Sequence, residues 1–145
     1  MGLSFQDYIS IKIHKTDLQL TSFIKSKLEP FNLAPEQNLI MILLWEKDGL
    51  NQNQIAEKLA KDKTNIARMA SSLEKKGFIK RVQCSYDRRS LNLFLTPCGK
   101  ELGNQILPIA EEFNKVVTKG ITLEEIHQLE SIIGKMTRNV QRLEE

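Results

Sequence analysis

Thiols and imidazoles are scarce in this chain: its 145 residues hold two cysteines and two histidines. Cys84 and Cys98 supply neither a disulfide framework nor the four closely spaced ligands of a structural zinc site. A hairpin turning near Arg88 would set Cys84 opposite about Asn92 and leave Cys98 on the order of 20 Å away, too far for a bridge. Oxidant sensing by either thiol stays open beside the plainer reading of two small buried side chains. His14 and His127 lie far apart in the chain, and a surface or interface position suits His14 better than a ligand role. No metal and no cofactor is expected.

Also missing are the motifs of enzymes. There is no glycine-rich phosphate loop, no G-x-S-x-G elbow, no H-E-x-x-H pair and no isolated couple of carboxylates for acid–base work, so no catalytic residue is assigned. Long apolar runs are absent as well. The longest, Leu39 to Trp45, is far below the ~20 residues of a membrane-spanning helix. The N-terminus has no charged region ahead of an apolar one, and Gln6 stands where a myristoylation motif needs Ser or Thr. A single domain, 1–145, with no membrane partner and a cytoplasmic location is expected. Hydrophobic content of 41% and charged content of 27% agree with a globular chain.

What the sequence does have is an uneven distribution of charge. Residues 51–96 hold ten Lys/Arg against four Asp/Glu, a net of +6, while the remainder holds 11 against 14. That basic stretch reads as helix, turn, helix, stop and hairpin. Asn51 can cap the first helix, with Gln54 completing a capping box, and Ile55, Ala56 and Leu59 form its apolar stripe. Asp62 can cap the second helix, and Gly77 can end it in a left-handed conformation. Ile66, Met69, Ala70 and Leu73 share one face of that helix. At about 100° per residue the opposite face carries Thr64, Arg68, Ser71 and Lys75. All four are donors, and none is needed for a core. A solvated charged face is the plainer alternative, but a concentrated basic surface is also what phosphate binding requires.

After Gly77, FIKRVQC and LNLFLT are rich in strand formers, and SYDRRS between them is a turn cluster. The hairpin would project Arg88 and Arg89, with Asp87 placed to hold a guanidinium. Helix-turn-helix followed by a basic wing resembles the MarR family of bacterial transcription regulators. The resemblance is sharpest in Asp87-Arg88-Arg89 followed by Leu93, Leu95 and Thr96, which look like the family's D-x-R…L-x-L-T wing. Leu73-Glu74-Lys75-Lys76-Gly77-Phe78-Ile79-Lys80-Arg81 resembles its recognition-helix exit. The resemblance implies a mainly α fold with a small β-hairpin wing. In it, a winged helix-turn-helix lobe, about 35–96, is flanked by dimerising helices at 1–30 and 97–145. It also implies double-stranded DNA as partner. The DNA-contact candidates are Lys63, Thr64, Asn65, Arg68, Ser71, Ser72, Lys75, Arg88 and Arg89, and Asp87 is the wing support.

The flanks read as helices with apolar seams. Phe5 to Glu29 carries Ile9, Ile13, Leu20, Ile24 and Leu28 near one ridge, and Glu29-Pro30 stops it. Pro35 opens a helix that is apolar almost all round. Thr96-Pro97 opens another, bent at Pro108 and ended by Gly120. Thr122 and Glu125 form a capping box for the last, whose Ile126, Leu129, Ile133, Met136, Val140 and Leu143 are spaced three and four apart. That narrow seam suits a partner helix, either in a second copy or in the same chain. Dimer contacts are therefore expected at these six, at Phe113, and at Ile9 and Ile13.

The expected function is a homodimeric transcription regulator binding a pseudo-palindromic operator, its half-sites about 34–36 Å apart. A ligand-responsive repressor, with a small-molecule effector bound where the dimer helices join the lobe, is what the resemblance implies. Trp45, Phe23, His14 and Met41 could line such a pocket, although Trp45 and Met41 also read as plain core. A winged-helix module gripping an acidic protein is the rival. It should show aromatic anchors on the exposed face, and the second helix has none.

Overall fold

The computed structural model describes residues 2–87 and 89–144. Helix α1 (Ile9–Leu28) is followed by α2 (Pro35–Glu46), α3 (Gln52–Leu59) and α4 (Lys63–Lys75). The hairpin β1 (Ile79–Gln83) and β2 (Leu91–Leu95) comes next, then α5 (Pro97–Val117) and α6 (Leu123–Glu144). The chain forms two compact units, residues 1–111 and 112–145. Among the described residues no helix is long and apolar enough to cross a membrane.

Local side-chain chemistry sets most of the element ends. Asn51 Oδ1 accepts from Gln54 N at 2.8 Å, and Gln54 Oε1 accepts from Asn51 N at 3.0 Å, which closes the capping box of α3. Asp62 Oδ1 accepts from Asn65 N at 2.7 Å and caps α4. Gly77, at φ +85°, ends that helix, and Phe78 N reaches back to Leu73 O at 3.1 Å. Thr122 and Glu125 exchange bonds of 2.9 and 3.1 Å at the start of α6. Those bonds hold the Glu125 carboxyl below its ordinary value, the backbone N–H of Thr122 contributing most.

The structure departs from the expected boundaries in three places. The first helix begins at Ile9 rather than Phe5, because Asp7 accepts from Ser4 N and Oγ and folds Phe5–Asp7 into a separate 3-10 turn. Tyr8 then breaks the run in extended backbone. The other end of α1 agrees with expectation: the helix stops at Leu28 against Glu29-Pro30, and the chain passes Pro30 in a 3-10 turn, Glu29–Phe31, before Asn32 reverses it at φ 56°. Helix α5 continues through Pro108 and stops at Val117, ahead of Gly120. The hairpin pairs Ile79 with Leu95 and Val82 with Asn92, so it is centred on Asp87, and Cys84 faces Ser90 rather than Asn92. An Asx turn tightens the tip: Asp87 Oδ1 accepts from Arg89 N at 2.9 Å, and Asp87 O accepts from Ser90 N at 3.0 Å.

The core of the first unit gathers Ile40, Met41 and Leu44 of α2, Ile55 of α3, Ile66 and Leu73 of α4, and Leu93 of β2, all fully buried. Burying side chains of this kind stabilises by about 1.5–3 kcal/mol each. Helix α5 packs close through two glycines. A Cβ on Gly99 would lie 2.0 Å from Phe78 O, and one on Gly103 would lie 2.8 Å from the Trp45 indole nitrogen. That nitrogen donates to Gly99 O at 2.9 Å. In the second unit α6 buries no residue.

Candidate nucleic-acid interface

The second helix of the helix-turn-helix, α4, turns Ile66, Met69, Ala70 and Leu73 inward. That orientation leaves Lys63, Thr64, Arg68 and Lys75 exposed and Asn65, Ser71 and Ser72 half-buried. Arg68 is tethered on its own helix, its Nη2 donating to Asn65 Oδ1. The guanidinium is thereby held over the outer face instead of sampling all its rotamers. Ser72 is less free than its sequence position implies, because its Oγ accepts from Gln37 Nε2 at 2.9 Å.

The hairpin stands beside this helix and is braced to it. Glu74 accepts from Arg81 N at 2.9 Å through one oxygen, and from the Arg81 guanidinium at 3.1 and 3.3 Å through the other. The backbone bond from Arg81 is the main cause that holds the Glu74 carboxyl below its ordinary value. Partial burial opposes it, and the guanidinium adds to it. Arg81 is thus committed to the fold. Asp48 ties the other edge, its Oδ1 accepting from Leu95 N at 2.8 Å and Gly49 N at 3.0 Å. At the tip Arg89 is exposed, and Asp87 supports the turn through the Arg89 backbone. Arg88 lies outside the described residues. Tyr86, not singled out from the sequence, is 97% exposed there.

An open cleft of about 550 Å³ borders α4, lined by Thr21 and Lys25 of α1, Pro35 and Gln37 of α2, and Met69 and Ser72. Arg68 forms part of its wall. Trp45 lines a separate cleft of about 410 Å³ with Asp48, Lys100 and Asn104. Neither cleft takes in His14, Phe23 or Met41. His14 and Phe23 are exposed on α1, and Met41 is fully buried. Among the described residues no cluster of His, Cys, Asp and Glu is arranged to hold a metal ion.

The profile of the MarR family matches residues 33–91, from the start of α2 to the start of β2. Over that stretch the chain resembles the MarR family. Its relatives include the HTH-type transcriptional regulator YybA of Bacillus subtilis, 26% identical over 85% of this chain and 82% of that protein. The transcriptional repressor MprA of Escherichia coli is 30% identical over 74% of this chain and 61% of its own length. Among solved structures, a MarR family transcriptional regulator from Listeria monocytogenes, complexed with a 26mer DNA, superposes with a TM-score of 0.80. The two are 28% identical over 97% of this chain and 90% of that one. MarR proteins are transcription regulators and not enzymes, as the absence of catalytic motifs suggested.

Dimer-contact candidates fall on both units. In the first, Ile9 is 55% exposed and Ile13 is 48% exposed on α1. In the second, Leu129, Ile133, Val140 and Leu143 are exposed, whereas Phe113, Ile126 and Met136 are half-buried.

Proposed function

We propose that this protein is a homodimeric DNA-binding transcription regulator of the cytoplasm, acting as a repressor that a small-molecule effector releases. The carrying observation is the outward row of α4, where Thr64, Arg68, Ser71 and Lys75 present donors and cations beside a projecting basic tip. The row suits a major groove: hydroxyls and a guanidinium meet base edges, and the lysines meet phosphates. Lys63 and Asn65, at the helix start, and Ser72 flank it, while Arg88 and Arg89 supply the wing. The lobe at 35–96 does the reading, and the helices at 1–30 and 97–145 pair two copies. A second copy covers the apolar ridges of α1 and α6, which would otherwise stand in water. MprA is itself a repressor, and the Listeria relative holds DNA, which supports the same reading here. An effector in the 550 Å³ cleft would bear on Arg68 and Ser72 directly.

Titration of the intact protein with mixed-sequence duplex DNA across a salt series tests this reading. Log affinity should fall steeply and linearly with log salt as counterions are released. A flat response would favour an acidic protein partner instead.

A further inference from the structure

Lys76 sits at the exit of α4, inside the basic stretch, yet its ammonium is turned inward. It donates to the carbonyl of Asn32 at 2.7 Å and to Gln37 Oε1 at 2.7 Å. Gln37, buried in the first turn of α2, uses the same oxygen to accept from Ala34 N at 3.3 Å. Its amide nitrogen donates to Ser72 Oγ at 2.9 Å. Ser72 and Lys76 are four residues apart and so lie on one ridge of the helix. Asn32 is the left-handed residue that reverses the chain between α1 and α2. The last turn of α4 is therefore fastened at two points to the α1–α2 elbow. Partial burial lowers the Lys76 pKa, in keeping with an ammonium partly shielded by the elbow.

We infer that Lys76 is a positioning residue for sequence reading, holding α4 at one tilt against the elbow and neutralising no phosphate. A lysine that binds phosphate must keep its charge free, whereas this one is held by two short charge-assisted bonds. Base contacts tolerate only about half an ångström of misplacement, but phosphate contacts by long cations tolerate much more. Loss of the fastening should therefore appear in discrimination between sequences and not in salt dependence. The inference rests on the DNA-reading assignment above.

The test uses the full chain. Wild type, Lys76→Met, Gln37→Leu and the double variant are titrated with operator and with mixed duplex across a salt series, alongside thermal melting. Lys75→Met, which removes an exposed cation, is the comparator. Lys76→Met and Gln37→Leu should each lower the operator-to-mixed affinity ratio about tenfold. The double variant should lose little more than either alone, because all three alterations break one network. The salt slope should stay at the wild-type value for these variants and become shallower by about one for Lys75→Met. Should Lys76→Met fold poorly, Gln37→Leu gives the same reading of the ratio. A shallower slope in Lys76→Met would make it a phosphate contact and overturn the inference. So would an unchanged ratio despite a lower melting temperature. Absence of duplex binding by the wild type would overturn the inference together with the reading beneath it.

Discussion

Arg68 and Arg89 are both exposed, and under the proposed reading their surroundings suit different tasks. Arg68 projects from the middle of α4, steadied by Asn65, where a guanidinium can grip a guanine edge bidentately. Arg89 stands on the hairpin tip, where a cation gains from the negative potential of a narrow minor groove. Arg68→Ala should cost about 1–3 kcal/mol on the operator and relax preference at one position of each half-site. Site selection from random duplexes measures this, and uniformly weaker binding with unchanged preference would demote Arg68 to a phosphate clamp. Arg89→Ala should weaken operator and mixed DNA alike, with a shallower salt slope. Glu74 acts on stability instead. Its carboxyl is held below the ordinary value of 4.5, so its stabilising contribution is present above that range and is lost as pH falls through the lowered value. Glu74→Gln should therefore be less stable than wild type at neutral pH, with the gap closing in acid. The side chain keeps 38% of its surface in water, so the gap should stay below about 1 kcal/mol. A gap that persists unchanged in acid melts would contradict the ionic brace.

At the scale of elements, the docking of α5 depends on two positions where only hydrogen fits. Gly99→Ala would drive a methyl group into Phe78 O, 2.0 Å away, and backbone cannot swing aside as a side chain can. A loss of about 1–3 kcal/mol or more is expected in chemical denaturation, whereas an unchanged midpoint would show that α5 is not so closely seated. Elements whose ends are set by neighbours in sequence were legible from sequence: Asn51 with Gln54, Asp62 with Asn65, Thr122 with Glu125, and Gly77. The winged arrangement followed from the same local signals. Ends closed by local geometry that no signature residue announces were not. Ala60 closes α3 in left-handed backbone at φ 52° without a glycine to announce it. The hairpin centre moved to Asp87 because a side-chain turn, not strand propensity, fixes the tip. The outer face of α4 was readable from helical period alone. The inward bonds of Ser72 and Lys76 were not, since Gln37 lies 35 and 39 residues away along the chain.

At the scale of the whole molecule, apolar side chains stand exposed on α1 and on α6 among the described residues. On α6 Val140 is 58% exposed, Ile133 is 48% exposed and no residue is buried, although the helix is amphipathic. Helices of that kind are stabilised chiefly by covering the apolar face. Replacing both Ile133 and Val140 with Lys should turn a dimer at micromolar concentration into monomer or insoluble protein in light scattering. A well-folded, fully dimeric variant would remove α6 from the interface. In the proposed dimer, two-fold pairing would also set the form of the DNA. Two α4 helices related by a dyad read the same sequence on opposite strands, one helical turn apart. Selection of sites by the wild-type dimer from random-sequence duplex DNA is therefore the most direct measurement. The account predicts an inverted repeat whose half-site centres are separated by about 10–10.5 base pairs, enriched over the starting pool. No enrichment at all, or a single unsymmetrical site, would contradict it.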